Sequence, residues 1–254
     1  FVLFLFVMKV YIMIPFFAGG AQGREIEYCV AGWRKHFKEN YQIVLVGDYH
    51  KVVDTGEDIT FVECPRVDDI HGQYRPHIDF ASKFRAFHKA FPKVKEFVFC
   101  ADDVYAVNDF DLYDIAFLKY RSASTKASPV SHNGFHRDKF KTVELLKKEK
   151  LPQRNYTTHL PQLIEWKKLE ALLDKYDMDH NSYVFEDLYF NTYYPKRVPF
   201  KLHIDYDNLK CGVYRPNPRI SYIEAAFKGK IWIQNSVEGW IPQLDKMLSD
   251  YYGI

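Results

Sequence analysis

Apolar residues in this chain recur with two periods, and the periods alternate along its first hundred residues. Residues 9–14 form a short β-rich run ended by Pro15, and Ala18-Gly19-Gly20 reads as the loop after it. Between residues 24 and 39, Ile26, Val30, Trp33 and Phe37 fall at helical spacing. Residues 43–46 make a compact apolar strand that runs into Gly47-Asp48, and residues 59–62 make another. Phe80, Phe84, Phe87 and Phe91 mark one face of a second helix. Residues 97–99 are the next buried strand, and they lead straight into Ala101-Asp102-Asp103. The order β-α-β-β-α-β predicts an α/β fold, a mostly parallel sheet flanked by helices. In such sheets ligands gather beyond the carboxyl ends of the strands, where Gly47-Asp48 and Asp102-Asp103 fall.

The second part of the chain is mixed. Residues 122–134 are rich in Ser and other small residues and read as a loop. Residues 139–150 predict a basic helix, and residues 161–176 a stronger one with Trp166, Leu169, Leu172 and Tyr176 on one face. A further helix contains Glu186 and Asp187, the proline-rich residues 215–218 break the pattern, and residues 239–252 close the chain as an amphipathic helix. This predicts a helical C-terminal part. No internal repeat or long linker is visible, so residues 8–254 are expected to form one domain. Residues 1–7 are uninterrupted apolar, far short of the ~20 that a membrane span requires, so no transmembrane span is expected. They read as an N-terminal extension ahead of a start at Met8.

Composition narrows the function. The 47% apolar fraction supports a real core, and a net charge of +2 gives no electrostatic reason to expect nucleic acid or a membrane surface as partner. Cys29, Cys64, Cys100 and Cys211 form no CxxC pair and lie mostly in apolar runs. They read as buried free thiols in a reducing, cytoplasmic protein, not as a zinc site. The loops and motifs of P-loop, α/β-hydrolase, zincin and dinucleotide-binding proteins are absent from the sequence.

Asp102 and Asp103 carry the candidate chemistry. Adjacent carboxylates repel, so a pair at a strand end needs hydrogen bonds or a cation to stay ionised. A solvated turn satisfies the first need. A hard divalent ion, Mn²⁺ or Mg²⁺, satisfies the second, since it takes one or two protein carboxylates and fills its shell with water and phosphate oxygens.

The run FVFCADDVYAV resembles the acidic motif of GT-A-type glycosyltransferases, particularly those related to bacterial capsular-polysaccharide transferases. The resemblance extends from Val10 to about Asn191 and implies a GT-A-like, Rossmann-like fold. It also implies a divalent metal held by Asp102 and Asp103, and a nucleotide-sugar donor, UDP-linked. Ala101 stands where many such enzymes have a first acidic residue. IMIPFFAGGAQGREIEY resembles the nucleoside loop and makes Arg24 its basic residue, VLVGD offers Asp48 to the base, and DFASKFRAFHKAF offers Lys83 to the donor. NYTTHLPQLI resembles a segment of the same group in which His159 completes the metal site or meets phosphate. Glu186 and Asp187, within YVFEDLYFNTYY, resemble the late acidic pair, from which one carboxylate removes the acceptor hydroxyl proton.

The implied function is transfer of a sugar from a nucleotide sugar to a hydroxyl acceptor, such as a saccharide, in bacterial surface polysaccharide or glycoconjugate synthesis. Two alternatives use the same residues: a metal-dependent nucleotidyl or phosphoryl transferase, and a catalytically silent sugar-binding protein of the same fold.

Overall fold

A computed structural model of the chain describes residues 9–51, 53, 56–68, 71–121, 127–131, 133–203 and 208–254. The expected β-α-β-β-α-β order appears as β1 (Val10–Phe16), α1 (Glu25–His36), β2 (Tyr41–Gly47), β3 (Ile59–Glu63), α2 (Pro76–Ala90) and β4 (Glu96–Phe99). The chain continues through β5 (Val104–Ala106), α3 (Leu112–Ala116), β6 (Lys119–Tyr120), α4 (Gly134–Lys148), β7 (Gln162–Glu165), α5 (Trp166–Lys175) and α6 (Phe185–Tyr193). It ends with β8 (Phe200–Lys201), β9 (Lys210–Val213), α7 (Ile220–Gly229), β10 (Trp232–Asn235) and α8 (Pro242–Tyr252). The expected extension 1–7 with Met8, and residues 122–126 and 132 of the expected loop, lie outside the described residues.

The main sheet has the order β3-β2-β1-β4-β7, parallel throughout except for the antiparallel edge strand β7. Side chains alternate across it. Ile12, Ile14, Ile43 and Leu45 join one buried cluster with α1, α8 and the small second sheet, whereas Met13, Val44, Phe97 and Phe99 join another with α2, α5 and α6. Burial on both faces is why these strands read as continuous apolar runs rather than as alternation. The fold is a mixed α/β one, a mostly parallel sheet between helical layers.

Three expectations change. Pro15 does not end β1 but lies within it, opposite Val46. The Met13 carbonyl accepts from Cys100 and the Phe16 carbonyl from Asp48, so alternation turns the Pro15 nitrogen toward β4, one residue past its last ladder bond. A proline is tolerated there because no N–H is required. Residues 161–176 are not one helix. Residues 162–165 pair antiparallel with β4, Phe97 opposite Ile164, and only then does α5 begin at Trp166. The C-terminal part contains two strands besides its helices, β9 and β10, which join β5 in a three-stranded sheet of order β5-β10-β9. No helix among the described residues is long and apolar enough to cross a membrane.

Candidate active site at the strand ends

From β1 the chain moves outward through β2 and β3, then crosses back to place β4 on the other side of β1. That reversal makes the carboxyl ends of β1 and β4 the switch point of the sheet, the place where open α/β sheets bind ligands. Asp102 and Asp103 occupy the turn between β4 and β5 and are half-buried there. Gln234, on β10, donates to Asp103 Oδ2 at 2.8 Å, and His159 Nδ1 stands 3.8 Å from Asp103 Oδ1. At 3.8 Å the imidazole is an ionic neighbour rather than a hydrogen-bond donor, and Oδ1 is buried without any hydrogen-bond partner.

The two carboxyls are driven apart electrostatically. Burial pushes Asp102 up to about 8, with the charges of Asp103 and Glu25 adding to the rise and Lys83 opposing it. Burial would also raise Asp103, but His159, Gln234 and Lys210 together hold it below the usual carboxylate range. One carboxylate therefore stays ionised beside a neutral neighbour.

His159 is exposed and adopts φ of 60°, a left-handed conformation. Its loop is pinned on both sides: Lys210 Nζ donates to the Thr158 carbonyl, and Gln162 Nε2 donates to the Tyr156 carbonyl at 2.9 Å. Lys83 is buried on α2 and pairs with Asp79 at 2.5 Å. A Cβ on Gly47 would come within 1.9 Å of the Phe16 carbonyl oxygen and 3.0 Å of Lys83 Cε, so only glycine, here at φ of 139°, lets the ends of β1 and β2 close over that lysine.

Asp48 Oδ2 accepts from the Ala18 nitrogen at 2.8 Å and so ties together the loops after β1 and β2. Beside it lies a cleft of about 420 Å³ lined by Gly47, Asp48, Tyr49, Phe61, Glu63 and Pro65. The Tyr49 and Phe61 rings are 4.7 Å apart and Tyr49 is 60% exposed, which leaves an aromatic face open to a flat ligand. Arg66 lies over both Phe17 and Tyr74, further along the same strand ends.

Arg24, Glu186 and Asp187 make no hydrogen bond or ion pair with Asp102 or Asp103. Arg24 precedes α1, and its guanidinium meets Glu27 at 2.8 Å and the Tyr28 ring. Its neighbour Glu25 is the one aimed inward: it is buried, accepts from Asn235 Nδ2 at 2.6 Å and adds to the field on Asp102. Asp187 is buried in an ion pair with Lys139 and also accepts from the Tyr156 nitrogen at 2.7 Å. Glu186 is buried with Oε2 unpartnered, and burial pushes it up to about 8. The charge of Lys139 acts on both Glu186 and His77, and His77 also feels His159. Sequence reasoning missed Gln234 and Lys210, which belong to no motif, and Glu25, which stands beside Arg24 in the quoted nucleoside-loop segment. Glu25 alone left a signal, as a carboxylate opening a helix.

Among the described residues no three His, Cys, Asp or Glu side chains converge as a complete metal cage. A magnesium-like ion that shares phosphate oxygens with a substrate needs only one or two protein carboxylates. The turn fits that chemistry: all its donors are hard oxygens, Asp103 Oδ1 lacks a partner, and a cation would offset the burial and the neighbouring Asp103 and Glu25 charges that together raise Asp102.

No known protein family matches the chain, and no curated protein matches it. Among solved structures, the apo form of WbbM, a bifunctional glycosyltransferase, is similar over 91% of this chain, at 15% identity and a TM-score of 0.45. This chain covers 46% of the WbbM chain, about half its length.

Proposed function

We propose that the protein is a metal-dependent glycosyltransferase that moves a sugar from a nucleotide-sugar donor to a hydroxyl acceptor. The observation that carries this reading is the acidic turn at the β1/β4 switch point, with one buried carboxylate oxygen that no hydrogen bond satisfies, on the same edge of the sheet as an aromatic-lined cleft at the ends of β2 and β3. In this reading Tyr49 and Phe61 support the nucleobase, and Asp48 accepts from a base N–H, as a UDP-linked donor would offer. Asp102 and Asp103 hold the divalent ion, Mn²⁺ or Mg²⁺, with His159 beside it. The ion supplies countercharge for the departing diphosphate.

The acceptor oxygen forms a bond to the anomeric carbon as the bond from that carbon to the phosphate oxygen breaks. The hydroxyl proton passes to Glu186 in its ionised form, which burial makes the minority form below about pH 8. Asp187 holds Lys139 and the Tyr156 segment in place. A saccharide acceptor, a role in surface polysaccharide or glycoconjugate synthesis, and a cytoplasmic setting complete the proposal.

The test is a panel of nucleotide sugars with and without Mn²⁺, read as thermal stabilisation and as product. A ligand at a hundred times its Kd stabilises by about 2.7 kcal/mol. The expected result is metal-dependent stabilisation by one donor and release of a nucleoside diphosphate. Release of pyrophosphate identifies a nucleotidyl transferase instead, and metal-independent binding without turnover identifies a silent sugar-binding protein.

A further inference from the structure

We propose that Gln234 is the positioning residue that presents Asp103 to a divalent cation, by holding one carboxylate oxygen and leaving the other bare. The inference rests on Asp102 and Asp103 being the cation-binding pair. Gln234 lies on β10 opposite Val104, the residue that follows the acidic turn, and is 2% exposed. Its amide nitrogen donates to Asp103 Oδ2 at 2.8 Å and to the Asn235 carbonyl, so both of its protons are placed. Asp103 Oδ1 keeps no hydrogen-bond partner, although it is buried. A carboxylate free to turn about Cβ–Cγ presents no fixed lone pair. A donor locked on Oδ2 fixes the carboxylate plane and therefore the direction of Oδ1.

The donor is itself held. Asn235, completely buried, gives its backbone N–H to the Asp103 carbonyl at 3.4 Å, accepts from the Tyr105 hydroxyl and donates to Glu25 Oε1 at 2.6 Å. Glu25 Oε2 accepts from the Gln22 nitrogen at 2.8 Å, in the loop that leads from β1 into α1. The end of β10 thus clasps the acidic turn to the start of α1. Gln234 also carries a buried Oε1 with no partner. An unpaired buried acceptor is unfavourable, and an apolar side chain of equal length would fill the same space without it. Packing therefore does not account for a glutamine here, whereas the bond to Asp103 does.

The experiment is Mn²⁺ binding by electron paramagnetic resonance to the wild type and to Gln234→Met, which keeps the length and removes the donor. Thermal melting and metal-free nucleotide binding are measured on the same samples. Weakening of about 10- to 100-fold in Mn²⁺ affinity, with the other two readouts unchanged, is the expected outcome, the usual effect of removing a group that orients a metal ligand. Wild-type affinity in the variant overturns the proposal. A parallel fall in melting temperature and Mn²⁺ affinity assigns Gln234 a purely structural role and overturns it too. If Gln234→Met does not fold, Gln234→Leu is read by the same criteria. A wild-type protein that binds no Mn²⁺ removes the cation reading itself, and with it this proposal, before any variant is compared.

Discussion

Asp103 Oδ1 and His159 Nδ1 lie 3.8 Å apart, and His159 holds that position in a left-handed backbone conformation. For a non-glycine residue that conformation costs about 1–2 kcal/mol. Strain of this kind persists where the surrounding structure enforces it and often marks a functional site. Glycine removes the strain and alanine does not. His159→Gly should therefore be more stable than His159→Ala by about 1 kcal/mol in urea denaturation. Both variants should lose the same share of metal-dependent nucleotide binding, since both lose the imidazole. Equal stabilities would show that the loop relaxes and that no strain is stored there.

Asp102 predicts an unusual pH dependence for the metal-free protein. Its folded pKa lies near 8, raised by burial, then by Asp103 and Glu25, and only partly offset by Lys83. Between the ordinary carboxylate value and about 8 the folded state binds a proton that the unfolded state has released. This group therefore lowers stability as pH rises through that window, by up to about 1.4 kcal/mol per pH unit. Asp102→Asn should flatten that decline while abolishing stabilisation by Mn²⁺. Parallel stability curves from pH 5 to 8 for wild type and variant would remove the electrostatic argument for a cation at this turn.

The architecture was readable because strands buried on both faces announce themselves as apolar runs, and because β1 to β4 alternate with two helices of clear period. The short strands escaped for the opposite reason. β5, β9 and β10 are three or four residues each, too short to display any period. β7 passes directly into α5, and its burial alternates over only four residues. The acidic turn was found by its place after β4. Its supports were not, because Gln234 is a lone glutamine in a short strand and acts on a residue 131 positions away. No local spacing encodes such a contact. The four cysteines, expected to be free and buried, are both.

His77 predicts the acid limb of stability. It is 3% exposed among Phe80, Phe135 and Phe185, and neither ring nitrogen has a partner. Burial lowers it to about 3, with further lowering from Lys139 and His159. The unfolded chain takes up this proton near pH 6.5 and the folded protein does not until about pH 3. Stability is therefore lost as pH falls through that window, by up to about 1.4 kcal/mol per unit. His77→Leu should be progressively more stable than wild type, relative to their difference at pH 7, in urea denaturation at pH 6, 5 and 4. A constant difference across those pH values would mean that the imidazole is solvated or paired in the folded state.

The thiols should be silent. Cys29 is pushed well above the ordinary thiol range by the neighbouring Cys100 thiol and by burial, and Cys211 is raised to about 11 by burial. Thiolate, the reactive form, is therefore scarce at neutral pH. Neither Cys29 nor Cys211 should react with a thiol reagent at pH 8 in the native protein, and both should react in urea. Stoichiometric labelling of either residue without denaturant would contradict the packing around it.

Glu186 and Asp187 are neighbours with opposite expected phenotypes. Asp187 is paired with Lys139 in the interior, and each side chain is almost wholly shielded from solvent. Asp187→Asn leaves the lysine charge without its counterion, and breaking a buried pair in this way typically costs about 3–5 kcal/mol. Its main effect should be a large drop in the urea midpoint. Glu186 has an unpartnered Oε2 and a pKa raised to about 8, chiefly by burial. The neutral form is thus the favoured folded species, and stability declines as pH rises from the carboxylate range toward 8. Glu186→Gln mimics that neutral form, so at pH 8 it should be at least as stable as wild type. If Glu186 is the base, the same variant should lose about 10²- to 10⁴-fold in turnover while keeping donor affinity, since the base acts on the acceptor in the transition state. Urea denaturation, sugar transfer and donor binding measured on both variants separate the two roles. Near-normal turnover in Glu186→Gln would remove it as the base. A collapse of donor affinity in the same variant would move Glu186 into the donor site.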